Sequence, residues 1–371
     1  MRSAMGLMLA LAALLAAGPA AAADNPILIG QSAPLTGSNA DLGKGIRDGA
    51  LAYFKKVNDA GGVYGRRIEL VTLDDKNDRK AAAANATKLV NETNVVVLYG
   101  FASATLSLDV MPLVKEKRVP FFAPFTGADA IHKQGPMVFV MRASYADELT
   151  KVLEHWGDFG VTRVTVVHYD DEIGNQNYAT VERIMKAAGK KPVSVKLVRN
   201  KDVTKEQADA IVASDPEIVI ATTSYASTAQ LLKMLHAGGH PYSMTTLSFV
   251  GPSQLATTAG DDAVGVSVSG VVPPPTKVVV PVVKECAAAM RAANLPELDY
   301  TSLESCIAAK VLVEAMRRAG PAVTREGLNR GLQSMANYDV GGYVVSFGPE
   351  VRKGSSYVEL AVIGKGGKFR Y

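Results

Sequence analysis

Hydroxyl side chains sit where strands hand over to helices in this chain, a placement that suits capture of a small anion. Strand-like residues 95–99 run into Gly100 and then Phe101-Ala102-Ser103-Ala104-Thr105 ahead of a helical stretch. Ser103 stands at that helix start. Its Oγ can cap amides two or three residues on, and the same hydroxyl with nearby free amides can accept a carboxylate; both readings stay open. A second turn, Pro124-Phe125-Thr126-Gly127, follows Phe121-Phe122-Ala123. Here proline stiffens the backbone, Thr126 adds a hydroxyl, and Gly127 lets the backbone approach a ligand. Further along, Ala221-Thr222-Thr223-Ser224-Tyr225 and Phe249-Val250-Gly251-Pro252-Ser253 end strands in the same way. Tyr169-Asp170-Asp171-Glu172-Ile173-Gly174 does so with acid. One wall of amides and hydroxyls facing another with carboxylates and an aromatic suits a small zwitterion or a small carboxylate.

Catalytic signatures are missing. There is no G-x-S-x-G, H-E-x-x-H or C-x-x-C. Gly37 to Gly45 imitates a phosphate loop but has the wrong glycine spacing, and Gly45 stands where Ser or Thr should hold magnesium. No G-x-G-x-x-G follows a strand, so no dinucleotide cofactor is expected. His236 and His240 share the i,i+4 spacing of a ligand pair, but Gly238-Gly239 between them end the helix. They read as a capping and a loop histidine, and no metal is expected. An α/β enzyme is thus the weaker reading.

Short apolar strands alternate with amphipathic helices. Strands are expected at 27–30, 67–73, 95–99 and 119–123, with helices at 41–58, 79–91 and 105–117 between them. The pattern restarts after Arg142, with helices at 146–159, 175–188, 205–213 and 227–237 and strands at 163–168, 193–198, 217–221 and 245–250. This is an α/β chain with two doubly wound parallel-sheet lobes, each covered by helices on both faces. Val272-Pro273-Pro274-Pro275 marks a break, and the long helices at 279–293 and 302–319 belong back on the first lobe. The expected division is 24–142 plus 273–340 for the first lobe and 143–272 plus 341–371 for the second. Cys286 and Cys306, the chain's two cysteines, fall on those two helices. They form a disulfide if the helices pack side by side, or two separate buried thiols.

Of the 371 residues, 48% are hydrophobic and 20% charged, with a formal net charge of +4. Basic residues are interspersed with acids, so nucleic acid is not an expected partner. Residues 1–23 have Arg2 as their one charge, an apolar run at 7–17, a Gly18-Pro19 break and an Ala21-Ala22-Ala23 end. This is the pattern of a secretory signal cleaved after Ala23 and is shorter than the roughly 20 apolar residues a span needs. The mature protein is then expected in the periplasm and not embedded in the membrane.

Several segments in order resemble periplasmic solute-binding proteins of ABC transporters, of the leucine/isoleucine/valine-binding type. They are residues 29–37 (IGQSAPLTG), residues 58–70 (NDAGGVYGRRIEL), Asp74-Asp75, the Gly100/Ser103/Thr105 turn and the Pro124–Gly127 turn. The resemblance implies two lobes joined by a three-strand hinge, a Venus-flytrap that closes on a ligand without catalysis and delivers it to an ABC permease. A module that senses ligand for a membrane regulator would share this fold. Position by position, Ser103 resembles the serine that holds the ligand carboxylate, with Phe101 in the same turn. Phe125 and Gly127 fall where a backbone carbonyl and a threonine contact ligand, and Thr126 can supply the hydroxyl that Gly127 lacks. Tyr225 resembles the second-lobe tyrosine, with Ser224 as its alternative. Leu42 and Ile173 stand where amino acid binders often carry aromatics, and Ser253 where branched-chain binders have a glutamate for the ammonium. Either Asp170 or Asp171 replaces that glutamate, or the ligand has no amine.

Overall fold

The computed structural model describes residues 25–37 and 39–371. The expected leader, 1–23, and its cleavage site lie outside the described residues. The first lobe opens with β1 (Ile27–Ala33), α1 (Ala40–Asp59), β2 (Ile68–Asp74), α2 (Arg79–Asn91), β3 (Val97–Tyr99), α3 (Ala104–Lys117), β4 (Phe121–Phe122), α4 (Asp129–His132) and β5 (Val138–Phe139). The second follows with α5 (Tyr145–Asp158), β6 (Val164–Tyr169), α6 (Glu172–Ala187), β7 (Val193–Leu197), α7 (Lys205–Ala213), β8 (Ile218–Thr222), α8 (Tyr225–Ala237), β9 (Met244–Thr246), α9 (Pro252–Ala259) and β10 (Ser267–Gly270). Then come α10 (Pro281–Ala292), α11 (Tyr300–Ala319), α12 (Arg325–Gln333), β11 (Tyr338–Asp339), β12 (Val344–Val345), β13 (Glu359–Ile363) and β14 (Phe369–Arg370).

The first sheet has the order β2-β1-β3-β4-β5 and is parallel throughout. The second repeats that order as β7-β6-β8-β9-β10, again parallel, and adds β13 and β14 antiparallel at its edge. Burial on both faces explains the strand composition: all of β6 and β8 is buried, so the strands read as apolar runs rather than alternating ones. In this order each sheet reverses direction between its first and third strands, so a crevice opens at β1/β3 and at β6/β8.

Helices α10 and α11 return to the first lobe. Cys286, Leu303, Cys306, Ile307 and Leu312 are fully buried and pack in one core with Phe54 of α1 and Phe122 of β4. A Cβ on Gly49 would lie 2.1 Å from the Ser302 carbonyl oxygen, so α1 and α11 can approach this closely only because that side chain is absent. A disulfide joins Cys286 to Cys306, with the Cα atoms 6.0 Å apart. The two helices do pack side by side.

The chain crosses between lobes near 140–144, 271–280 and 353–358. Val140 N–H donates to the Arg352 carbonyl and Gly354 N–H to the Val140 carbonyl, at 2.9 and 2.7 Å, which ties the first crossing to the third. The packing moves one expected boundary. The sequence pattern places residues after 340 in the second lobe, yet Tyr343, Val345 and Phe347 pack into the first-lobe core. Phe347 meets Phe122 and Phe139 edge-on at 6.3 and 5.4 Å. The final crossing therefore comes after Lys353, because Val345 and Phe347 are buried in the first-lobe core. The expected strand at 245–250 also ends early, at Thr246. Glu148 of α5 takes the Ser248 amide at 2.8 Å and its hydroxyl at 3.0 Å and turns the chain there.

Candidate functional site: the interlobe cleft

Both crevices open into one cleft between the lobes. Its walls come from the carboxyl ends of strands: Pro34 after β1, Asn77 after β2, Ala102 and Ser103 after β3, and Phe125 after β4. Facing them are Tyr169 ending β6, Arg199 after β7, Ser224 after β8 and Phe249 after β9. Asn39 just before α1, Leu42 of α1, Ala104 of α3, Tyr145 of α5, Ile173, Gly174 and Asn177 of α6 and Thr222 ending β8 complete the lining. The space between these walls is narrow.

Ser103 holds the helix start without capping it. Its backbone has φ 80° and ψ 137°, a region that only glycine enters freely, and its side chain makes no capping bond to α3. The hydroxyl instead lies 3.0 Å from Thr105 Oγ1. The first amides of α3 have no carbonyl of their own helix to serve, so hydroxyl and amides face the cleft together. Across from it, Ser224 begins α8, also with no side-chain capping bond. Its Oγ accepts from Tyr169 Oη at 3.0 Å, which fixes that ring.

The acidic turn behaves differently from the hydroxyl turns. Asp171 Oδ1 caps α6 by accepting from Gly174 N–H at 2.9 Å, and its Oδ2 takes Nε and Nη2 of Arg199 at 2.9 and 2.7 Å. Arg199 sits over the Tyr169 ring, 4.1 Å from its centroid. Asp170 faces solvent and pairs with Lys196 at 2.8 Å. Neither carboxylate lines the cleft.

Of the residues singled out in the sequence, Leu42, Ser103, Phe125 and Ile173 are brought together in the lining, and Ser224, the alternative to Tyr225, joins them. Phe101 points into the core against Phe121, 5.2 Å away. Thr126 is buried behind the wall, 3.0 Å from Tyr145 Oη. Gly127 presses on the chain at Ala143 and Tyr145, where a Cβ would come within 3.0 Å of three atoms. Ser253 lies in the first turn of α9, outside the lining. Tyr225 packs in the second-lobe core. Its hydroxyl reaches the Asp41 backbone of the opposite lobe, and burial followed by the Asp41 charge pushes its phenol up to about 12.

Sequence reasoning passed over Asn77, Tyr145, Asn177 and Arg199. Arg199 and Asn77 follow strand ends, so the rule that picked out Ser103 reaches them once applied to β7 and β2. Tyr145 and Asn177 come into the lining through helix orientation and carry no such signal. Phe125 is held from behind: Arg142 lies 4.2 Å over its ring and donates Nε to Glu304 at 2.8 Å, with both charged groups buried.

A family model for periplasmic binding proteins matches residues 26–368. The chain belongs to the periplasmic binding protein family. It is 25% identical over 340 residues to the Leu/Ile/Val-binding protein BraC3 of Rhizobium johnstonii, covering 87% of each. A substrate-binding periplasmic protein from Ralstonia solanacearum superposes with TM-score 0.88 at 33% identity, over 92% of this chain and 99% of that one. A fatty acid ABC transporter substrate-binding protein from Thermomonospora curvata shares the fold with TM-score 0.85 at 22% identity, over 93% of this chain and 90% of that one. Such relatives are solute-binding proteins, not enzymes. Membership in this periplasmic family implies export. Among the described residues no helix is long and apolar enough to cross a membrane.

Proposed function

We propose that the mature chain, starting after Ala23, is the periplasmic receptor of an ABC transporter. It captures a small amino acid or related carboxylate between its lobes and delivers it to the permease. The observation that carries this reading is the meeting of two uncapped helix starts, at Ser103 and Ser224, from both sheet reversals in one narrow cleft. Helix N-termini favour anions, and the apolar walls at Leu42, Phe125, Ile173 and Phe249 suit a small hydrocarbon body. The relatives' names support both an amino acid and a fatty acid as cargo for such a fold. In this reading Ser103 bonds the carboxylate, Phe125 offers its ring and carbonyl, and the lobes close because the lining comes from both.

Small-angle scattering with and without a ligand found by thermal-shift screening tests this. A smaller radius of gyration in the saturated protein is expected. Identical radii, with binding shown separately by calorimetry, would count against closure.

A further inference from the structure

We propose that the ligand carries a carboxylate and no ammonium group, an inference that rests on the cleft being the solute site proposed above. The charge lining that cleft is one-sided. Among the described lining residues Arg199 is the one ionic side chain, and no aspartate or glutamate is present.

Each nearby acid is engaged elsewhere. Asp171 divides its oxygens between the start of α6 and Arg199, and Asp170 stands on Lys196 in solvent. Asp41, in the first turn of α1, is 69% exposed to solvent and lies 3.9 Å from Lys44. Asp75 is buried behind the first-lobe wall, bonded to the Ser32 hydroxyl and the Asn77 amide at 2.8 and 2.9 Å. Glu148 of α5 and Glu304 of α11 are committed to Ser248 and Arg142.

What faces the cavity is positive or neutral. Arg199 uses Nε and Nη2 on Asp171, and Nη1 makes neither bond. The uncapped starts of α3 and α8 add partial positive charge. Asn77 and Asn177 bring neutral amides. A carboxylate meets donors on both lobes. An ammonium beside it would meet like charge and no anionic partner, and desolvating it there is unfavourable. The narrow space and the apolar walls restrict the remainder to a short aliphatic or single-ring body. The geometry thus favours a small monocarboxylic acid over its α-amino counterpart.

The test is calorimetry on the mature protein at pH 7 with two matched pairs: 4-methylpentanoate against leucine, and 3-phenylpropanoate against phenylalanine. Members of a pair differ only in the α-ammonium. In the tighter-binding pair the acid is expected to bind at least tenfold more strongly. Should the amino acid bind equally or better there, the inference falls while the solute-receptor reading stands. If none of the four binds, both readings fall. Asn177→Asp gives a second test in the same assay, since it adds a carboxylate to the lining without changing its shape. The ratio of acid to amino acid affinity should drop at least tenfold, and an unmoved ratio overturns the inference.

Discussion

Replacing Ser103 separates a ligand contact from a structural cap, because the two roles move different quantities. The residue sits at φ 80°, ψ 137°, a conformation that costs a side-chain-bearing residue roughly 1–3 kcal/mol. Ser103→Gly removes that strain, while the freer unfolded chain takes back about 0.5–1 kcal/mol. The variant is therefore expected to be as stable as the parent or about 1–2 kcal/mol more so. Ser103→Ala keeps the strain and removes a hydroxyl that caps nothing, so its stability should hardly change. Binding should move the other way in both. A hydrogen bond to a charged group contributes roughly 1.5–3 kcal/mol, which is about ten- to a hundredfold in Kd. Urea unfolding and calorimetry on the parent and both variants measure the two effects together. If the hydroxyl were a cap, Ser103→Ala would lose about 1 kcal/mol of stability and bind as before. That pattern would refute the reasoning.

Three further outcomes concern the frame around the cleft. Burial, opposed by hydrogen bonds from Asn77 and Ser32, pushes the Asp75 carboxyl from 3.8 up to about 6. A raised pKa in the fold stabilises it fully below pH 3.8, and that contribution is lost as pH rises through 6, about 3 kcal/mol in all. Asp75→Asn should lack this loss, so its urea stability relative to the parent rises by about that amount between pH 4 and 7; a constant difference would contradict it. Glu304→Gln leaves buried Arg142 without its anion and should lower stability by about 3–5 kcal/mol, and a loss under 1 kcal/mol by urea titration would argue against an ionic pair. Replacing both Cys286 and Cys306 by alanine removes a cross-link spanning 20 residues and should lower stability by about 3 kcal/mol, read as a fall in Tm; an unchanged Tm would mean the bond adds nothing.

The two lobes were legible because their strands, buried on both faces, leave apolar runs between amphipathic helices. Periodicity places α1 at 41–58, and the helix spans Ala40–Asp59. The strand-end rule led to Ser103 and Phe125 because turn residues there carry chemistry in their types alone. It failed at Thr126, Gly127 and Ser253, where one or two residues of helical or turn rotation decide whether a side chain meets the cleft or the core. Asp171 read as a candidate partner for an ammonium, since nothing local says that Arg199, 28 residues on, will pair with it. The last crossing was misplaced for a similar reason: which sheet receives Phe347 depends on Phe122 and Phe139 far earlier in the chain.

The most direct test of the account is native mass spectrometry of the mature protein with whichever small carboxylate gives the largest thermal shift. One ligand per chain is expected, held noncovalently, recovered with unchanged mass after long incubation, and largely lost from the Ser103→Ala protein. A ligand recovered chemically altered, or a complex that persists undiminished in Ser103→Ala, would contradict the claim that this cleft captures an acid through that helix start.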